Sequence, residues 1–165
     1  NLIYNVSQNV GKSYNTGIEI VISQKLSDII NVNLNINGYH NQIDAFTVVN
    51  QYPVMNIFTS EKEEIYSGNV KLNTNVMLEK RTEIQLTGIY LAPDIIPQGK
   101  IGSRFSLDLG IRKTIQNGKG ELFLNATDLL NTMVIRKTIN GNNFNYTSAD
   151  YYETQVIRLG YSYKF

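Results

Sequence analysis

The segment from Asn31 to Asn37 reads Asn-Val-Asn-Leu-Asn-Ile-Asn. A strict two-residue period puts Val32, Leu34 and Ile36 on one side of a strand and asparagine on the other, whereas a helix would scatter both sets around its axis. The same alternation recurs at Ile18, Ile20, Ile22; at Val70, Leu72, Thr74, Val76, Leu78; at Ile84, Leu86; at Phe105, Leu107, Leu109, Ile111; at Leu122, Leu124, Ala126; and at Ile157, Leu159, Tyr161, Tyr163, Phe165. With a short strand near Leu2 to Val6, the expectation is an all-β, antiparallel up-and-down meander of about eight strands, in one domain over 1–165.

Neighbouring strands must present their apolar residues on one side, so the parity of each turn is constrained: one slipped residue reverses a whole strand. A turn centred on Ser27 sets Ile22 against Val32 and Ile20 against Leu34. One centred on Lys80 sets Val76 against Ile84 and Thr74 against Leu86. For the third hairpin the apolar residues are odd-numbered before the turn and even-numbered after it, so an even loop is required. Asn117-Gly118 fits a two-residue type I′ turn, where both residues take positive φ, and sets Ile111 against Leu124 and Leu109 against Ala126. Longer connections, from Ile43 to Glu64, Ala92 to Gly102 and Thr138 to Asp150, alternate with these turns. Short turns at one end and long loops at the other are the format of a bacterial transmembrane barrel.

Alternation alone does not say whether the apolar side meets lipid or a protein core. Three features point to lipid. The opposite side is rich in hydrogen-bonding groups without dense charge (Asn31, Asn33, Asn35, Asn37; Lys71, Asn73, Asn75; Glu83, Gln85, Thr87; Arg104, Ser106, Asp108, Arg112), which suits a wet lumen. The apolar sets are nearly free of charge, as expected where Lys or Arg at the midplane costs about 2–4 kcal/mol; Lys113 is the exception, and beside a turn it can snorkel. Tyr39, Tyr66, Tyr90, Tyr151, Tyr152, Tyr161 and Tyr163 sit near strand ends, as in an interfacial girdle.

Composition removes several function classes. Lys+Arg number 15 against 14 Asp+Glu, so no net field draws the chain to nucleic acid. Cysteine is absent, which excludes disulfides, thiolate metal sites and a Cys nucleophile and suits an oxidising envelope compartment. No apolar run is long enough for a membrane helix. The opening Asn1-Leu2-Ile3-Tyr4 lacks the regions of a secretion signal, and the expectation is a piece of a longer protein.

The final strand, Val156-Ile157-Arg158-Leu159-Gly160-Tyr161-Ser162-Tyr163-Lys164-Phe165, ends on an aromatic residue with apolar or aromatic residues at alternate positions before it. It resembles the signal that outer-membrane proteins present to the barrel-assembly machinery, carried here by Ile157, Leu159, Tyr161, Tyr163 and Phe165. Ser106-Leu107-Asp108-Leu109-Gly110-Ile111-Arg112-Lys113, followed by Glu121-Leu122-Phe123-Leu124-Asn125-Ala126-Thr127-Asp128-Leu129-Leu130-Asn131, is similar to the closing strands of TonB-dependent receptors, with Asp128 to Asn131 in the place of their Asn-Leu-Phe-Asp element. Gly11 to Glu19 resembles a strand opening of these barrels, and Tyr90-Leu91-Ala92-Pro93 with Pro97-Gln98-Gly99 an outer loop. The resemblance implies the C-terminal part of a barrel of about 22 strands with a plugged lumen, in the bacterial outer membrane. It further implies uptake of a small molecule or glycan, with outer-membrane lipid, an N-terminal plug, the TonB system and the assembly machinery as partners.

No enzymatic chemistry stands out, and no cofactor is expected. His40 is the sole histidine and reads as a solvated strand-end residue rather than a metal ligand. Glu61-Lys62-Glu63-Glu64 reads as a charged loop, Asp94 after Pro93 as turn chemistry, and Gly118-Lys119-Gly120 as a hairpin tip, since the Lys-Ser/Thr and helix of a phosphate loop are missing. The Asn-X-Ser/Thr matches at Asn5, Asn125 and Asn145 are chance. Arg104, Asp108, Arg112, Glu121, Arg158 and Lys164 are expected to face the lumen and to form a ladder of counter-charges. The rival reading is a soluble β-sandwich or jelly roll binding carbohydrate or protein through Tyr39, Tyr66 or Tyr90.

Overall fold

The computed structural model describes residues 8, 9, 11–51, 54–79, 81–141 and 144–165; the expected strand near Leu2 to Val6 and the turn centre Lys80 lie outside them. Among the described residues there is no α-helix. A single antiparallel sheet of seven strands dominates: β1 (Ser13–Lys25), β2 (Ile30–Ile43), β5 (Glu63–Leu78), β6 (Thr82–Leu91), β9 (Arg104–Ile115), β10 (Gly120–Thr127) and β13 (Val156–Tyr163), each hydrogen-bonded to the next in that order. The sheet is open, with β1 and β13 as its edges.

Among the described residues the strands number thirteen, not about eight. The excess lies in the long connections, which are themselves paired rather than irregular. The first folds into a hairpin of β3 (Phe46–Asn50) and β4 (Asn56–Ser60). The second holds β7 (Asp94–Ile96) and β8 (Gly99–Ile101), and the third holds β11 (Val134–Gly141) and β12 (Phe144–Tyr151). The last two join in a four-stranded sheet ordered β12-β11-β8-β7. All of these pieces sit at one end of the main sheet, and the short turns at the other.

The registers follow the parity argument, with two refinements at the turns. In the first hairpin Ile22 faces Leu34 and Ile20 faces Ile36, two residues away from the expected pairing. The turn centres on Asp28, whose carboxylate accepts from Lys25 Nζ at 2.7 Å. A slip of two keeps every side chain on its side, so the sequence alternation does not resist it. In the second hairpin Val76 faces Ile84 and Thr74 faces Leu86, as expected. In the third, Ile111 faces Leu124 and Leu109 faces Ala126, also as expected, but pairing stops at Ile115 and Gly120. The loop is therefore four residues, not the two-residue type I′ turn at Asn117 and Gly118. Gln116 joins Asn117 and Gly118 at positive φ (52°, 55° and 94°), and its side-chain oxygen accepts from the Tyr161 hydroxyl at 2.7 Å. That bond holds Gln116 out of the ladder.

The pairings carry each apolar set into one continuous side. One row runs Ile22, Leu34, Leu72 and Gly88; another runs Leu86, Leu109, Ala126 and Ile157. No described element packs on this side. The buried apolar cluster among the described residues lies at the long-connection end instead, where Ile43, Phe46, Val48 and Ile95 meet Phe58 and Ile65.

Candidate functional site

The apolar side of the sheet is uncovered. On the apolar side Leu86 is 42% exposed and Leu159 79%, whereas on the opposite side Thr87 is 8% exposed and Ser106 5%. A soluble sheet buries its oily side, because apolar area removed from water contributes about 25 cal/mol per Å². Here Leu86 and Leu159 stay open, with Ile20, Leu72 and Leu122 also exposed on the same side, as in a sheet whose outer solvent is hydrocarbon. The aromatic residues refine the picture. Tyr90 and Phe105 face each other across β6 and β9 at the long-connection end, with Tyr66 and Tyr14 exposed nearby. Tyr161 and Tyr163 sit on the same side at the turn end, where Tyr163 faces Gly120. From the Tyr90–Phe105 pair to the Thr82–Lys113 pair is eight residues along the strands, about 27 Å at roughly 3.4 Å per residue. A tilt of about 40° makes that about 20 Å, on the scale of the roughly 25 Å apolar band of such barrels. Tyr39 points to the polar side and Tyr151 lies in β12, so neither belongs to these two bands.

The polar side is a hydrogen-bonded surface. Asn35 Nδ2 donates to Glu19 Oε1 at 2.6 Å and the Thr87 hydroxyl to Asn73 Oδ1 at 3.0 Å. Arg104, Asp108, Arg112, Glu121 and Arg158 all stand on this side, since each shares a row with polar-side residues of its neighbours. The ion pairs among the described residues join only two of the six expected charges. Arg112 Nη2 lies 2.6 Å from Glu83 Oε2 and its Nη1 3.9 Å from Glu121 Oε2. Beside this triad is a hollow of about 410 Å³, walled by Gln85, Phe123 and Asn125 and floored by Gly110. The Phe123 ring lies over Gly160, where any Cβ would collide with it. Arg158 faces Asn125, Arg104 Nε has no hydrogen-bond partner, and Lys164 follows β13, its backbone N–H donating to Lys119 O at 2.8 Å.

Asp108 serves a different purpose. Its Oδ1 accepts from the Ser106 hydroxyl at 3.0 Å and from the backbone N–H of Asp128 at 2.8 Å. Asp128, 2% exposed, in turn accepts from Thr132 N, Met133 N and the Thr154 hydroxyl at 3.0, 3.2 and 2.6 Å. Burial disfavours its charge, but those hydrogen bonds outweigh burial and hold its pKa below the ordinary 3.8. The Asp128-Leu129-Leu130-Asn131 segment is thus a knot where the chain leaves β10 at positive φ (45° at Asp128). It ties both ends of the third long connection to β9.

A second acidic anchor escaped the sequence reading. Asp94 opens strand β7 rather than a turn. Its Oδ2 accepts from Tyr39 OH and its Oδ1 from Asn41 Nδ2 and from Ile95 N, all at 2.8 Å. The Ser67 hydroxyl donates to Pro93 O at 2.7 Å, and Ala92 N to Gly68 O at 2.9 Å. Gly17 makes room for Tyr39, since a Cβ there would come within 2.6 Å of the tyrosine Cβ. The signal was present in the sequence as a change on the odd-numbered side of β2 and β5, from asparagine to Tyr39, Ile43 and Ile65.

The remaining expectations find plain places. His40 stacks on Tyr66, ring centroids 4.7 Å apart, with Glu64 3.8 Å from its Nε2. Lys62 lies 3.1 Å from Glu64, and Glu61 and Glu63 border a hollow of about 300 Å³ with Gln98 and Asn140. No group of three or more His, Cys, Asp or Glu residues able to hold a metal occurs among the described residues. In the last strand, Ile157, Leu159, Tyr161 and Tyr163 are exposed on the apolar side, and Phe165 packs edge-on against Tyr163 at 5.4 Å. One edge of β13 is bonded to β10 and the other is free among the described residues.

Comparison with curated proteins and with solved structures gave no match. A family model described as outer membrane protein beta-barrel family matches residues 1–163. With its apolar side outward and its polar side hydrogen-bonded, the chain belongs to the outer membrane protein beta-barrel family, whose place is the bacterial outer membrane.

Proposed function

We propose that the chain forms part of the wall of a TonB-dependent transporter and has no enzymatic role. Its apolar side contacts outer-membrane lipid, its polar side lines the lumen, and its long connections meet a small-molecule or glycan substrate outside the cell. The observation that supports this reading is the uncovered apolar side, with Ile20, Leu72, Leu86 and Leu159 exposed, and folded connections at one end only. An N-terminal plug and the TonB system supply the coupling in the full-length protein, and Ile157, Leu159, Tyr161, Tyr163 and Phe165 address it to the assembly machinery.

The test is uptake by cells carrying the full-length protein, measured over a panel of labelled metal chelates, vitamins and glycans, with and without TonB. Accumulation of at least one class that vanishes when TonB is removed supports the proposal. Uptake that continues undiminished without TonB makes the protein a passive pore and sinks it. Deleting Phe165 tests the addressing role, with a severalfold lower yield of membrane-inserted protein expected.

A further inference from the structure

The long-connection end of the polar side carries a strap. Tyr39 and Asn41 continue the asparagine row of β2, but Ile43 and Ile65 then turn the same side apolar, and β7 lies across that patch with Ile95 5% exposed against Ile43 and Phe46. The connections therefore fold over the polar side of the sheet and leave the lipid-facing side bare. β7 pairs with β8, β8 with β11 and β11 with β12, so a four-stranded sheet runs from this point to the Asp128 knot, which ties both ends of the β11–β12 connection to β9.

The attachment is of an unusual kind. β7 contributes no strand to the main sheet. It is held by the Asp94 carboxylate on Tyr39 and Asn41, the Ser67–Pro93 bond, the Ala92–Gly68 bond and the side chain of Ile95. A ladder opens only by unfolding the sheet, whereas one backbone bond, a few side-chain bonds and an apolar contact open locally, and movable elements are drawn from such weakly tied segments. Hydrogen bonds to an ionised acceptor are the strongest of the set, which makes Asp94 the point where the strap is decided.

We infer that Asp94 is the latch of a lid, holding the β7–β8–β11–β12 sheet over the mouth of the lumen and governing passage of solute to the polar side. This rests on the reading that the polar side faces water inside a barrel. This chain has no cysteine, so once any cysteine outside it is replaced by serine a direct test is open. In the full-length protein, Asn37→Cys puts one thiol on the polar side of β2, four residues from Asn41 and toward the long-connection end, and a membrane-impermeant sulfonated maleimide added from outside measures access to it. Adding Asp94→Ala should speed labelling about tenfold or more, the scale for losing one or two bonds to a charged group. Asn41→Asp, which sets a second carboxylate against the first, should act in the same direction and serves if Asp94→Ala fails to insert. Equal rates in the parent and an inserted variant overturn the latch. A thiol that reacts with a lipid-soluble maleimide and never with the charged one overturns the placement of water on this side, and the lid with it.

Discussion

The seven-stranded sheet and the strands gathered at its long-connection end are built from one polypeptide on opposite solvent rules. In the sheet, Leu, Ile and Tyr face outward and no described element covers them, so its order comes from ladder bonds, as suits a wall set in hydrocarbon. At the long-connection end, Phe46, Val48 and Ile95 close on Ile43 in the manner of a small soluble core. The two meet on β2 and β5, where one side of a strand passes from Asn31–Asn37 to Ile43 within a few residues. An oily residue is thus correctly placed outside in one region and inside in the other, and only the medium it meets decides which.

Substitutions can break that contrast. Leu109, paired between Leu86 and Ala126, should give the largest effect. Leu109→Arg puts a charge in the band, at about 2–4 kcal/mol, and membrane insertion followed by heat-modifiable gel mobility should fail. Gln85→Leu on the other side should leave insertion intact. Next in size, Phe46→Ala should cost about 3 kcal/mol, confined to the soluble-type cluster. Hydrogen exchange should quicken in β3 and β4 while the centre of β5 stays protected; uniform loss of protection would erase the distinction between the two regions.

Asp128 sharpens the boundary. Asp128→Ala strips the acceptor from Thr132, Met133 and Thr154 and should cost about 2 kcal/mol, read as a lower urea midpoint in lipid vesicles. The pH dependence has a definite sign. The folded pKa is held below 3.8 by hydrogen bonds that together outweigh burial, so the contribution is complete above the unfolded value and is lost as pH falls through the folded one. Lowering the pH from about 5 to below 3 should destabilise the native protein more than Asp128→Asn. The smallest effect belongs to Arg112→Gln: its pairs with Glu83 and Glu121 are half-exposed, so the change should stay within about 1 kcal/mol.

Most of the sheet was legible because a two-residue period is a local signal. It assigned sides for Ile18 to Leu159 and gave two of three hairpin registers. It did not fix turn length, because the slip of two at Asp28 costs no side chain its environment. The connections were read as loops although Phe46 and Val48 already alternate, since a single five-residue strand carries too little repetition to stand out. The change from asparagine to Tyr39 and Ile43 marked a place where something docks, but the pairings made by Asp94 and Asp128 were not legible for another reason. Tyr39 and Asp94 lie 55 residues apart, and nothing local to either announces the other. Of the six charges expected to interlock, Arg112 meets Glu121 directly and Glu83 beside it, while Asp108 is engaged by a backbone amide that no charge pattern encodes.

β1 and β13 are the first and seventh members of an alternating series, so they run in the same direction. Zipping one directly onto the other would create a lone parallel seam in an otherwise antiparallel wall. An all-antiparallel closure would therefore need an odd number of further strands between them, which would bring the total to the even count of bacterial single-chain barrels.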